Sequence, residues 1–265
     1  MERTKLGVFD SGLGGLTVLN EILKHNNGLA VTYFGDTARV PYGSRTPETI
    51  ARYAEQDVRF LLSKGVEAIV IACGTVSAIG LSRLTQTFSV PIIGVIEAAC
   101  DAACQATKTG HIAVLGTKAT IGSHAYSARI HALAPACRVD GYACPLLVPL
   151  IENGFSAQDP ITMLTLERYL APIRETDVDT VILGCTHYPF LSSAIQSILP
   201  NVTAINIGAA LANALPYRLQ LSASDLPSEV AYYVSDPDTG FCQIANGFLD
   251  AVHADHIDTV NIEQF

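Results

Sequence analysis

Strand-length apolar runs alternate with helix-length stretches along this 265-residue chain, and that rhythm constrains the fold more than any other feature. Runs at Leu6–Phe9, Val31–Phe34, Ala68–Ala72, Ile92–Val95, Ile112–Leu115, Arg138–Ala143, Thr180–Leu183, Val202–Ile205 and Val230–Val234 read as strands. The stretches Leu16–His25, Pro47–Lys64, Ser77–Gln86, Ile96–Lys108, Ile121–Ala134, Pro160–Arg174, Ala209–Gln220 and Phe241–Asp250 read as helices. Strands joined by helices close right-handed parallel crossovers, so the predicted class is α/β with mostly parallel sheets.

Two strand-and-turn segments look like copies of one design. Glu67-Ala68-Ile69-Val70-Ile71-Ala72-Cys73-Gly74-Thr75 matches Asp179-Thr180-Val181-Ile182-Leu183-Gly184-Cys185-Thr186-His187: an acid, an apolar strand, a small residue, then cysteine. Leu6–Gly12 and Ile112–Thr117 pair more loosely in the same way. Similar halves with one cysteine each predict two like domains facing across a cleft. The expected division is 1–97 plus 210–265, carrying Cys73, and 98–209, carrying Cys185.

Composition removes several classes of function. A net charge of −9 without a long basic block argues against nucleic acid as a partner, since phosphate neutralisation needs clustered Lys and Arg. The apolar runs are too short to span a bilayer, so no membrane partner is expected. The chain enters its first strand directly after Met1-Glu2-Arg3-Thr4-Lys5, without a secretory signal, which predicts a cytoplasmic protein. Seven cysteines with no CxxC pair argue against a disulfide framework and against a structural metal.

Cys73 and Cys185 each fall where a parallel strand ends, which is where open α/β sheets bind ligands. A single cysteine there is ordinarily a small buried residue; two in matched settings invite a chemical reading. Gly74 and Thr75 after the first, and Thr186 and His187 after the second, offer N–H groups and hydroxyls at an expected helix start. That setting accepts a carboxylate and predicts a lowered thiol pKa. Two thiols on opposite walls suit inversion of a stereocentre, one removing a proton from one face while the other supplies one to the opposite face. Disulfide exchange would want the sulfurs paired in sequence, and a Cys–His hydrolase needs only one thiol. His187 is a candidate proton partner of Cys185, or a loop histidine capping a carbonyl.

The first strand leads into Asp10-Ser11-Gly12-Leu13-Gly14-Gly15, which invites a dinucleotide reading. The fingerprint fails at its third glycine, where Thr17 stands, and Asp10 is ill placed beside a pyrophosphate. Asp10 fits better as a polariser of a thiol or an acceptor for a substrate ammonium, and Ser11 as a carboxylate donor. Asp36 opens a polar loop in which Pro41, Tyr42 and Gly43 allow close approach to a ligand. Glu152 ends an apolar run, as a solvated cap or a counterpart to Asp10. Lys118 stands alone without a phosphate cradle, so pyridoxal chemistry has little support and no cofactor is expected.

Taken together, Gly7–Gly15, Tyr33–Gly43, Leu115–Ile121, Leu147–Glu152 and Leu183–Pro189 resemble the glutamate racemase family over essentially the whole chain. The resemblance implies two flavodoxin-like domains with the active site in the interdomain cleft, and a homodimer. It implies that Cys73 deprotonates D-glutamate and Cys185 L-glutamate, with Asp10, Asp36, Glu152 and His187 assisting. Asp10, Ser11, Pro41, Tyr42, Gly43, Gly74, Thr75, Thr117, Thr120, Thr186 and His187 would contact the substrate. The implied role is to supply D-glutamate for bacterial peptidoglycan. Three places depart from the family pattern: Gly74 stands where asparagine is usual, Glu97-Ala98-Ala99 replaces Glu-Pro-Ala, and Asn206-Ile207-Gly208 replaces Asp-Ser-Gly. Loss of an amide bond to a charged ligand at position 74 is worth roughly 1.5–3 kcal/mol. Alternatives are therefore a racemase for aspartate or another amino acid, and a non-catalytic regulator of a partner such as DNA gyrase.

Overall fold

The computed structural model describes residues 3–236, 250 and 256–265. Its strands, in chain order, are β1 (Thr4–Asp10), β2 (Leu29–Gly35), β3 (Ala68–Ile71), β4 (Ile92–Gly94), β5 (His111–Gly116), β6 (Arg138–Ala143), β7 (Thr180–Leu183), β8 (Thr203–Asn206), β9 (Glu229–Val234) and β10 (Ile257–Thr259). They form two sheets, ordered β10-β9-β2-β1-β3-β4 and β6-β5-β7-β8. Every recorded strand pair is parallel, so each connection must cross over.

The repeat seen in the sequence maps onto this topology. In one sheet β1 lies between β2 and β3; in the other β5 lies between β6 and β7. The chain thus reverses direction across the sheet between β1 and β3, and again between β5 and β7. Such switch points open a crevice beyond the strands' carboxyl ends. Cys73 follows β3 and Cys185 follows β7, so each half delivers its thiol to an equivalent crevice.

Two helices carry the chain between sheets, Val95–Ala106 outward and Ile207–Leu219 back. Both expected domain boundaries fall inside them. One apolar cluster runs through this region, joining Leu6, Leu16 and Leu19 with Cys100, Ile112, Ile182 and Leu211. Two further clusters lie under the outer faces, one around Phe9, Phe34 and Phe60, the other around Leu166, Leu183 and Ile195. Glu97 pairs with Arg218 and so links the two crossover helices, while Arg218 also reaches Asp101 at 3.1 Å. Asn206 caps the return helix by accepting from Gly208 and Ala209 N–H at 2.9 and 3.3 Å. A short polar cap is what a helix start needs, so this departure from the family pattern keeps its structural purpose.

Several expected elements are divided. The predicted helix Ser77–Gln86 is two, Gly74–Ile79 and Leu81–Thr87, broken at Gly80. Ile121–Ala134 likewise splits into Lys118–Gly122 and Ala125–Leu133, where His124 takes a left-handed conformation with φ 57°. The expected helix Phe241–Asp250 lies outside the described residues apart from its last. β10 had no counterpart among the expected strands.

Candidate active site

β1 ends at Asp10, and the loop that follows brings Ser11 to the first thiol, the Cys73 S–H donating to Ser11 Oγ at 3.5 Å. Asp10 is fully buried beneath it. Its Oδ2 accepts from Gly12 N–H at 3.0 Å, and its Oδ1 accepts from Thr186 Oγ1, in the other half of the molecule, at 3.3 Å. Thr17 Oγ1 adds a second link across the cleft, donating to the Thr186 carbonyl at 2.8 Å. Burial raises the Asp10 pKa; the His187 charge and the Gly12 and Gly15 N–H groups pull against it.

Cys73 is the N-cap of the helix Gly74–Ile79, as expected, yet its thiol is not acidified. Burial first, and then the neighbouring Asp10 charge, push its pKa up to about 12, while Ser11 and the Val76 N–H resist. The expected lowering is therefore reversed at Cys73: desolvation outweighs the helix start. Cys185 does not precede an α-helix directly; a short 3-10 turn, Tyr188–Leu191, intervenes before Ser192.

On the second wall, Cys185 Sγ lies 3.8 Å from His187 Nδ1. Glu152, at the end of the short helix Leu147–Glu152, stands 3.1 Å from His187 Nε2. Burial opposes a charge on His187, but the close approach of Cys185 and Glu152 outweighs it and holds the His187 pKa up at about 10. At neutral pH this imidazolium sits between Cys185 and Glu152.

Both thiols border one cavity of about 150 Å³. Ser11, Pro41, Tyr42, Gly43, Gly74 and Thr75 line it from the first half; Thr117, Thr186 and His187 line it from the second. Thr75, Thr117 and Thr120 form a hydroxyl triangle across the cleft, with Oγ1–Oγ1 separations of 3.0 Å (75–117), 3.3 Å (75–120) and 2.9 Å (117–120). Lys118, Cys144, Pro145 and Val148 also border the cavity. Of these, Lys118 and Val148 lie in segments that carry the family resemblance without having been assigned to the site, and Cys144 and Pro145 lie outside those segments. Among the described residues, no group of three or more His, Cys, Asp or Glu is placed to hold a metal. No helix among them is long and apolar enough to cross a membrane.

Three expected site residues stand behind the cavity. Asp10 and Thr120 are buried beneath its wall, and Glu152 borders an adjoining cavity that shares His187. Asp36 is more remote from the thiols. It is fully buried, accepting from Arg39 Nε at 2.6 Å, from Ser235 Oγ at 2.7 Å and from the Tyr42 hydroxyl. The same Tyr42 hydroxyl lies 3.1 Å from Asp57 Oδ2, and Arg39 reaches Asp57 Oδ1 at 3.0 Å. Asp57 and Arg39 escaped the sequence reading because a helix acid and a loop arginine are usually solvated. Here they anchor the loop that presents Pro41, Tyr42 and Gly43.

Two switch-point crevices, each with a thiol at a strand end, share one cavity in a two-domain α/β protein. Residues 14–215 match the Asp/Glu/Hydantoin racemase family, and the chain belongs to that family. It is 41% identical over 249 residues to a glutamate racemase of Geobacter metallireducens, covering 92% of each chain. It is 46% identical over 210 residues to that of Chlorobaculum tepidum, covering 78% of this chain and 77% of the relative. Among solved structures, a glutamate racemase from Bacillus anthracis superposes with a TM-score of 0.92 at 35% identity over 98% of both chains. One from Francisella tularensis, in complex with D-glutamate, gives 0.90 at 32% identity over the full length of both.

Proposed function

We propose that this chain is a glutamate racemase, interconverting the L and D forms without a cofactor by passing protons between Cys73 and Cys185. The observation that carries the reading is that two thiols from equivalent strand ends of different sheets border a single cavity. The likeness to the Francisella tularensis enzyme, whose structure holds D-glutamate, supports glutamate as the substrate.

In this mechanism one sulfur starts as thiolate and removes the α-proton, leaving the electron pair on Cα to delocalise into the adjacent carboxylate. The other thiol gives its proton to the opposite face, and the two sulfurs end with exchanged protonation states. Cys73 takes the proton from D-glutamate and Cys185 from L-glutamate. The His187 imidazolium, held charged by Cys185 and Glu152, stands 3.8 Å from the Cys185 sulfur and places a positive charge on that wall of the site. Asp10, buried behind the cavity wall beside Cys73, acts on that thiol as its polariser and does not meet the substrate itself. Thr75, Thr117 and Thr186, with Ser11, supply hydroxyls to the carboxylates, and Thr120 holds Thr75 and Thr117 from behind. Asp36 acts through Tyr42 as a positioning residue. The domains divide near residues 97 and 209, and the chain works as a homodimer that supplies D-glutamate for peptidoglycan.

Proton NMR of the purified protein with each glutamate enantiomer in deuterated buffer tests the reading. Loss of the α-proton signal together with inversion is expected from both sides. No exchange on either enantiomer, with turnover of aspartate instead, would overturn the substrate assignment.

A further inference from the structure

The two halves meet across the cleft at glycines, and one of these contacts differs in kind from the others. A Cβ added at Gly14 would strike Thr186 Oγ1 at 2.3 Å and the His187 ring at 2.5 Å; one at Gly43 would meet Thr117 Cβ at 2.6 Å. Those neighbours are side chains. At Gly74 the obstacle is backbone: a Cβ there would lie 2.3 Å from the Gly184 carbonyl oxygen, inside the 3.0 Å that Cβ atoms essentially never breach. Gly74 follows Cys73 and Gly184 precedes Cys185, so this contact joins the two thiol-bearing loops directly.

Neither loop has room to yield. Gly184 N–H donates to the Leu115 carbonyl at 2.8 Å, tying the loop to β5. Behind it, even a Cβ on Gly184 would meet Leu115 O at 2.7 Å and the Tyr126 ring and hydroxyl at 3.3 Å. On the other side, Ala72 N–H donates to the Phe9 carbonyl at 2.9 Å, and Ser77 N–H to the Cys73 carbonyl at 2.9 Å. A side chain at 74 could be accommodated only by moving one domain away from the other.

We infer that Gly74 is a positioning residue that sets the separation of the two thiols, its bare Cα letting the Gly184 carbonyl close the cleft behind the substrate. This rests on the two-thiol reading above. It reverses the simple expectation from the family pattern: asparagine at 74 would add an amide, but in this chain it would act as a wedge. Retreat of one wall by about 1 Å is enough to cost on the order of 100-fold in rate, because both transfers need near-contact geometry.

The test compares Gly74→Ala and Gly74→Asn with Gly122→Ala, whose added Cβ meets nothing within 4 Å. Both Gly74 variants are expected to lose about 100-fold in kcat for both enantiomers with a much smaller change in KM, and to show a larger primary isotope effect with α-deuterated glutamate. Gly122→Ala keeps the wild-type rate. A readout independent of turnover is alkylation by iodoacetamide followed by mass spectrometry. Cys73 and Cys185 are 4% and 7% exposed, so opening the cleft raises their labelling relative to the half-buried Cys104 and Cys137. Faster labelling of the Gly74 variants, beside a wild type that proves inactive on glutamate, would uphold the wedge and sink the substrate reading. Unchanged labelling, a loss confined to KM, or a Gly74→Asn variant faster than wild type would overturn the wedge itself. If Gly74→Ala does not fold, combining it with Tyr126→Ala, which frees space behind Gly184, is expected to restore folding and turnover; failure of the double variant counts against the proposal.

Discussion

His187 Nδ1 stands 3.8 Å from Cys185 Sγ, and with Glu152 at 3.1 Å from the far nitrogen the imidazole is braced from both sides. Among the described residues no comparable cation stands at Cys73, whose close polar neighbours are Ser11 and Asp10. The two thiols therefore occupy matching strand ends in unlike surroundings.

The thiols should separate cleanly by substitution. Cys73→Ala and Cys185→Ala are each expected to lose at least about 1000-fold in inversion in both directions, since either removes one of the two proton carriers. Cys185→Ala retains α-proton exchange only on D-glutamate, and Cys73→Ala only on L-glutamate, as read by NMR in deuterated buffer. Full racemisation by both variants would end the two-thiol mechanism.

Glu152→Gln should act through His187. Removing the carboxylate lowers the His187 pKa from about 10, so the imidazolium loses its proton earlier as pH rises. The alkaline limb of kcat/KM for L-glutamate moves to lower pH, with a loss of at least about tenfold at pH 9 and a smaller effect on the D side. Stability follows the same sign. A His pKa raised from 6.5 contributes stability that is fully present below pH 6.5 and lost as pH rises through about 10. The variant should flatten the fall in melting temperature over that window.

Cys73 should behave as a suppressed thiol in the free protein. With its pKa pushed up to about 12 from an ordinary 9.0, its thiolate fraction grows about tenfold per pH unit well past pH 9. Site-resolved alkylation should climb to the highest pH at which the fold survives. A plateau near pH 9 would show that burial does not control this sulfur.

The buried cluster under Tyr42 gives a test of stability. Arg39→Ala leaves Asp36 and Asp57 buried without their cation and is expected to cost about 3–5 kcal/mol in urea unfolding. Burial, followed by the Asp36 charge, raises the Asp57 pKa well above its ordinary value. Asp57→Asn keeps the shape and relieves the crowding of two buried acids, and is expected to cost less than Arg39→Ala. An equal cost for the two would show that Arg39 is not the balancing charge.

The alternation of strands and helices was legible because a parallel sheet covered on both faces demands apolar strands separated by amphipathic crossovers. The matched segments ending at Cys73 and Cys185 were legible for the same reason: a sheet carries its chemistry at strand ends, so a repeated strand end is a repeated site. Those patterns are local, and the sequence by itself determined them along with the two candidate proton carriers. Tertiary structure decided the rest. It decided that Cys73 is basic and not acidic, because desolvation depends on what covers a thiol and not on the residue that follows it. It placed Asp36 under Tyr42 with Arg39 and Asp57, a cluster drawn from a loop and a distant helix turn that no spacing rule joins. It set Gly74 against Gly184, residues 110 positions apart, where the absence of a side chain is meaningful only because another backbone occupies its place.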